Sequence, residues 1–364
     1  MFSPNQLTVA TGSCELNDYP LSMSILTSQS DSVRAGSGTW QQQMKWAIRD
    51  IETLRERLNL PAKPENLVNG GAKAAQQFPV FVPLPLLSRM EPGNPDDPLL
   101  RQVLPVAAEN DSPDHYSIDP LAELGATLQP GLLQKYDGRV LLIATGACAV
   151  HCRYCFRRHF PYQESPSSPS QWEPAIEQIA NDVSVEEVIL SGGDPLTLVD
   201  SQLAQLIGRL NTIPHLKRLR VHTRLPIMIP QRVTTELLSI FKDSPLHSIV
   251  VIHSNHANEI DEAVENAIGR LTATGVTMLN QTVLLRGVND DGNSLIELSK
   301  RLLDCRVLPY YLHQIDPVVG VSHFEVTRER GEKLIAEMRA ALPGYAVPRY
   351  VKELAGEPNK TIWA

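Results

Sequence analysis

VLLIATGACAVHCRYC, residues 140–155, is a β-branched apolar run that passes directly into three cysteines. Residues 140–144 have the length and composition of a buried strand. Cys148, Cys152 and Cys155 follow at the spacing C-x3-C-x2-C, on a loop at the strand's C-terminal end. Similar apolar runs return at 188–190, 219–221, 249–252, 278–284 and 307–312. Segments of helical spacing fill the intervals at 171–182, 201–211, 231–242, 257–274 and 292–304. Strands alternating with helices predict right-handed βαβ crossovers and a parallel sheet, an α/β fold. Six such strands suit an open doubly wound sheet or a partial barrel, and periodicity alone does not choose between them. A further helix, about 326–341, and a last strand near 346–352 follow.

Towards the N-terminus the pattern changes. Residues 1–39 are rich in Ser, Thr, Asn and Gly and read as a loose extension. Trp40, Met44, Ile48, Ile51, Leu54 and Leu58 recur at helical spacing, which predicts one amphipathic helix that stops at Pro61. The apolar stretch 78–87 is broken by prolines, and GNPDDPLL at 93–100 reads as a loop entering a short helix. The expected division is therefore a loose extension (1–39), a helical N-terminal region (40–134), a core (135–325) and a C-terminal segment (326–364).

Composition narrows the function. Of 364 residues, 42% are hydrophobic, enough for a sizeable core. Lys plus Arg is 33 against 41 Asp plus Glu, a net charge of −8 that does not draw the chain to nucleic-acid phosphates. No apolar run is long enough to span a bilayer. The first basic residue is Arg34, after Glu15 and Asp18, so neither a secretion signal nor a mitochondrial presequence is expected. The chain reads as cytoplasmic. In a reducing compartment, three of its five cysteines within eight residues point to metal or redox chemistry.

Three thiolates on one loop can each hold one iron of a cubane cluster, where electron-transfer clusters use four cysteines. Cys305 and Cys14 are the candidates for a fourth. If neither serves, one iron keeps an open position, as catalysis requires. Zinc held by the three cysteines with His151 or His159 is the alternative, although zinc sites usually pair two separated C-x2-C units.

The run resembles the signature of radical S-adenosylmethionine (radical SAM) enzymes, with Tyr154 as its aromatic residue. The resemblance implies a partial (β/α)6 TIM-like barrel with an N-terminal helical extension. It implies a [4Fe–4S] cluster on Cys148, Cys152 and Cys155, S-adenosylmethionine on the unique iron, and an external electron donor. Ser191-Gly-Gly-Asp-Pro-Leu then matches the family's glycine-rich motif for the methionine amino group, through Gly192, Gly193 and Asp194. Paired glycines would let a ligand approach the backbone, and Asp194 would accept from its ammonium.

Four further segments resemble the lysine 2,3-aminomutases: Cys152-Arg-Tyr-Cys-Phe-Arg-Arg, Val221-His-Thr-Arg-Leu-Pro, Gln281-Thr-Val-Leu-Leu-Arg-Gly-Val-Asn-Asp and Pro309-Tyr-Tyr-Leu-His-Gln-Ile-Asp316. That family moves an amino group from the α to the β carbon and uses pyridoxal 5′-phosphate to hold the migrating nitrogen. The resemblance implies Lys360 as the lysine that carries pyridoxal phosphate, in a short C-terminal segment. The family's glycine run is here Gly356-Glu-Pro-Asn, and Lys352 is the competitor, read as a solvated strand lysine. Arg139 and Lys135 match cationic contacts of the pyridoxal phosphate. Arg157 matches the arginine for the substrate carboxylate, and a guanidinium grips a carboxylate bidentately. Asp316 and Glu353 match two aspartates that hold the ε-ammonium of L-lysine. His253 and Gln281 match contacts to S-adenosylmethionine.

The chain ends soon after Lys360 and lacks the cysteine-bearing extension of catabolic relatives. It therefore resembles the shorter branch, as does GNPDDPLLRQVLP at 93–105. That branch makes (R)-β-lysine, which a ligase related to lysyl-tRNA synthetases attaches to elongation factor P. The catabolic free-lysine enzyme is the alternative. A radical SAM enzyme of other chemistry and a non-catalytic iron–sulfur or zinc protein are two more. A homo-oligomer is compatible with every one of these.

Overall fold

The computed structural model describes residues 29–61, 65–164, 166 and 168–364. One ten-stranded sheet organises them. Seven strands run parallel: β3 (Arg139–Thr145), β4 (Glu187–Gly192), β5 (Arg218–Thr223), β6 (His247–His253), β7 (Thr277–Val283), β8 (Leu308–His313) and β9 (Arg349–Lys352). Each lies beside its sequence neighbours, and the order never reverses. A doubly wound sheet reverses at its switch point. Leu141, Ile189, Arg220, His253, Gln281, Tyr311 and Arg349, one from each parallel strand, line a single cavity. A flat sheet could not converge them, so the sheet curls into a partial barrel.

Antiparallel strands cover the two open edges. β1 (Thr127–Gln129) and β2 (Leu132–Tyr136) form a hairpin against β3, and β10 (Thr361–Ile362) pairs back on β9. These short strands become the sheet's outer edges, and short edge strands offer little backbone to another chain. The outward faces of the strands are apolar. Val188, Leu190, Leu219, Val221, Val250 and Ile252 are fully buried in one core with Leu203, Leu206, Ile207 and Leu210 of the helix Asp200–Asn211. Burial of that layer drives the fold, and it leaves the inner face free to be polar.

Capping residues move several predicted helix starts. Thr234 and Asp261 accept hydrogen bonds from Leu237 N and Val264 N, so these helices begin at Thr235 and Glu262, not at 231 and 257. The single helix expected over 40–60 is two, Trp40–Trp46 and Ile51–Arg57. Between them Ile48 pairs with Val82 as an isolated β-bridge, and Asp50 caps the second helix through Thr53 N at 2.7 Å. The helical spacing of Met44, Ile48 and Ile51 belongs to two elements packed on one core. Part of the expected loose extension is also ordered, as the helix Gln29–Ala35, while residues 1–28 and Cys14 lie outside the described residues.

Candidate active site

β3 ends at Thr145, and the following loop carries Cys148, Cys152 and Cys155 along the cavity wall. Backbone bonds fix the loop. His151 N–H donates to Phe81 O at 3.1 Å, and Arg153 N–H to Gln102 O at 2.8 Å. Arg153 is fully buried, with Nε 2.9 Å from Glu109 Oε1 and Nη1 2.6 Å from Phe78 O. Arg158 reaches the same Glu109 at 2.9 Å. The loop is thus clamped from outside by the N-terminal helical region.

Burial pushes the Cys148 thiol well up, and the neighbouring Cys155 and Asp194 add to it. Burial, with Cys152 beside it, raises Cys155 to about 11. Three mutually opposed sulfurs around one cavity ask for a cationic centre, which would hold them as thiolates. Among the described residues no three His, Cys, Asp or Glu side chains are set to share one ion. A cubane gives each cysteine its own iron and so asks for a wider spacing. Each histidine of the zinc alternative has one ring nitrogen against a carbonyl, His151 Nδ1 at 2.8 Å from Pro79 O and His159 Nε2 at 3.1 Å from Val319 O, which leaves its second nitrogen available to a metal. Cys305 is buried in the apolar core and does not line the cavity.

Gly192 and Gly193 are required by the cysteine loop itself. Gly192 has φ +124°, and a Cβ there would stand 2.4 Å from Thr145 O. At Gly193 it would stand 2.3 Å from Ala147 O. Gly193 N–H donates to Thr145 O at 2.8 Å and Asp194 N–H to Ala147 O at 2.7 Å. Asp194 lines the cavity and also has internal partners. Asp194 accepts from Thr223 Oγ1 at 2.7 Å, Leu196 N at 3.0 Å and Arg224 N at 2.7 Å, tying the ends of β4 and β5 together.

The same cavity holds a chain of alternating charges. Arg157 Nε and Nη2 donate to the two oxygens of Glu123 at 2.7 and 2.8 Å. Lys135 stands 3.0 Å from Glu123 and 2.8 Å from Glu353. Lys360 closes the chain on Glu353. Lys135, expected as a phosphate contact, is thus engaged by two carboxylates. Burial alone would raise Glu353, but Lys360 and Lys135 outweigh it and hold the carboxyl at about 2. Asp316 goes the other way: burial pushes it up to about 6 against the pull of Lys352. Lys352 is not solvated as expected. It is tucked behind the cavity wall, donating to Ile315 O at 2.6 Å with Asp316 at 3.6 Å.

Arg139 lies over the Tyr136 ring at 4.5 Å and reaches the cavity without an ion pair among the described residues. His253 and Gln281 are register partners on β6 and β7 and both line the cavity. His253 Nε2 is buried without a hydrogen-bond partner, and burial, then Arg224 and Arg157, lower it to about 4.

A family description, the radical SAM superfamily, matches residues 142–298. The L-lysine 2,3-aminomutase of Haemophilus influenzae is 46% identical over 325 residues, covering 89% of this chain and 95% of that protein. The Escherichia coli K12 protein of the same name is also 46% identical, covering 88% and 93%. The Clostridium subterminale L-lysine 2,3-aminomutase is 36% identical, covering 88% of this chain and 77% of its own. The chain belongs to the lysine 2,3-aminomutase family.

As a radical SAM member of that family, it takes a [4Fe–4S] cluster and S-adenosylmethionine. The interior fits polar ligands. The cavity measures about 650 Å³, and three atoms that line it, His222 Nε2, His253 Nε2 and His313 Nε2, are buried and unpartnered. Buried polar atoms normally have partners, so these are donors or acceptors kept for a ligand. Three residues of this lysine 2,3-aminomutase family member escaped the sequence reading. Arg224 donates to Cys152 Sγ at 2.8 Å and to Glu259 at 2.9 Å. It stands in the segment Val221-His-Thr-Arg-Leu-Pro, which was visible. Glu109 and Glu123 carry no motif or periodicity that marks them.

Proposed function

We propose that this protein is a pyridoxal-phosphate-dependent L-lysine 2,3-aminomutase that makes (R)-β-lysine in the cytoplasm, for attachment to elongation factor P. One observation carries the reading: Arg157, Lys360, Asp316 and Glu353 line the same cavity as the three cysteines. That set matches a substrate with a carboxylate at one end and an ammonium at the other. Cys148, Cys152 and Cys155 would hold the cluster, His253 and Gln281 would contact S-adenosylmethionine, and Lys360 with Arg139 would hold pyridoxal phosphate. When bound, these groups supply a hydrogen-abstracting radical and a π system for the migrating nitrogen. The chain's own part is to fix lysine at both ends and keep water away from the reacting carbons. The elongation factor P branch is favoured by the resemblance of residues 93–105.

The test is anaerobic. Reconstituted protein with pyridoxal phosphate, S-adenosylmethionine, dithionite and L-lysine is expected to yield β-lysine by mass spectrometry, and the elongation factor P ligase is expected to accept it. 5′-Deoxyadenosine without β-lysine would leave the radical chemistry and remove lysine as substrate.

The raised Asp316 gives a pH dependence. A carboxyl at about 6 is protonated below that pH and then cannot pair with an ammonium. Lysine KM is therefore expected to rise as pH falls through about 6, with Glu353 ionised throughout. Asp316→Asn should raise KM at neutral pH and flatten the profile. A wild-type KM independent of pH between 5 and 7 would remove Asp316 from the ammonium site.

A further inference from the structure

The group beside Arg157 is a carboxylate of the protein itself. Glu123 is buried, 2% exposed, at the N-cap of the short 3-10 turn before β1, next to Ala122 with φ +50°. A non-glycine residue at positive φ is uncommon, and here it precedes a side chain turned inward. Burial alone would raise Glu123, but Arg157 and Lys135 outweigh it and hold the carboxyl at about 2. It is an anion at every pH at which the protein is handled.

Its geometry leaves Arg157 with a defined remainder. A guanidinium has five N–H donors in a rigid fork. Glu123 takes one on Nε and one on Nη2, and Ser191 Oγ takes one on Nη1 at 3.0 Å. Two N–H groups stay free, one on each terminal nitrogen, which is what a second carboxylate needs. Arg157 also lies 4.9 Å from the Phe156 ring, which limits where its plane can swing. Lys135 then links Glu123 to Glu353.

We infer that Glu123 is a positioning residue: it locks Arg157 so that its terminal edge meets the substrate carboxylate. This role rests on the lysine reading above. It depends on the reach of the carboxylate as well as its charge, so shortening the arm should harm as much as neutralising it.

The experiment uses reconstituted protein bearing Glu123→Gln or Glu123→Asp. Both variants are expected to raise the KM for L-lysine about tenfold or more, with kcat within about threefold. Such a tenfold loss is what about 1.4 kcal/mol of substrate binding amounts to. Pyridoxal absorbance and the cluster spectrum should match wild type. 1,5-Diaminopentane, which lacks the carboxylate, should inhibit wild type and both variants with one Ki. Three results would overturn the role. Glu123→Asp kinetics equal to wild type would leave only a charge effect. Tighter lysine binding by Glu123→Gln would make Glu123 a competitor for Arg157. An equal loss for lysine and diaminopentane would make it a general wall of the pocket. Wild-type protein that binds neither compound would overturn the lysine reading itself, and this role with it.

Discussion

Lys360→Ala is expected to lose the pyridoxal absorbance band and all detectable β-lysine, while Lys352→Ala keeps the band. The two lysines are eight residues apart and were both candidates for carrying the cofactor. Sheet register separates them. β9 ends at Lys352, the chain turns, and β10 pairs back with Thr361 opposite Lys352. That hairpin brings Lys360 onto the cavity wall against Glu353. Lys352 is not part of the cavity lining, and Ile315 O and Asp316 hold its ammonium. A lysine must be deprotonated at the reacting nitrogen to attack a carbonyl carbon, and it must reach the ligand. Only Lys360 meets the second condition. Lys352→Ala should act on Asp316 instead, raising its pKa further by removing the cation that opposes burial. Its signature is a lysine KM that begins to climb at higher pH than in wild type. Absorbance and product analysis on the two variants decide the matter; loss of the band in Lys352→Ala alone would exchange their roles.

What could be read in advance was local or periodic. The strand before Cys148 and the cysteine spacing both lie in one stretch of sixteen residues, and they placed the cysteine loop at the C-terminal end of a strand of the parallel sheet. The six apolar runs coincide with β3 to β8, because each outward face is packed by a crossover helix. Winding direction was not legible from periodicity, since hydrophobic spacing is the same in either arrangement; the resemblance supplied it. Helix starts shifted because a single capping oxygen at Thr234 or Asp261 outweighs a few residues of apolar spacing. The glycines carry a further constraint that the motif did not show: the crowding they relieve comes from Thr145 and Ala147, some 45 residues earlier. Glu123 was invisible because its partners, Arg157 and Lys135, meet it only after β2, β3 and the cluster loop have folded.

Glu109→Ala should destabilise the fold by about 3–5 kcal/mol and lower the iron bound per chain. Glu109 is a single carboxylate between two arginines, Arg153 and Arg158, and both it and Arg153 are essentially without solvent contact. Removing it leaves two buried cations with no carboxylate partner, held only by the carbonyls of Phe78, Ala74, Arg153 and Gly320 and by the Phe78 ring. Coulomb gain in such a cluster roughly offsets desolvation, but the penalty for one missing partner is not offset by anything. Arg153 lies between Cys152 and Tyr154, so the unpaired cation sits inside the cluster loop and will pull it towards water. Stability and cluster loading should therefore fall together. Arg153→Met, which removes a cation and leaves an apolar stem, should cost less than Glu109→Ala. The double variant should cost less than the sum of the two, because each single change exposes the other partner. Urea unfolding of the four proteins, with iron content on the same samples, measures both. Full additivity would mean that the ion pair contributes nothing specific. Normal iron content in a destabilised Glu109→Ala would mean that the clamp supports the fold alone. The expected coupling makes this buried pair a condition for holding three thiols around one cavity.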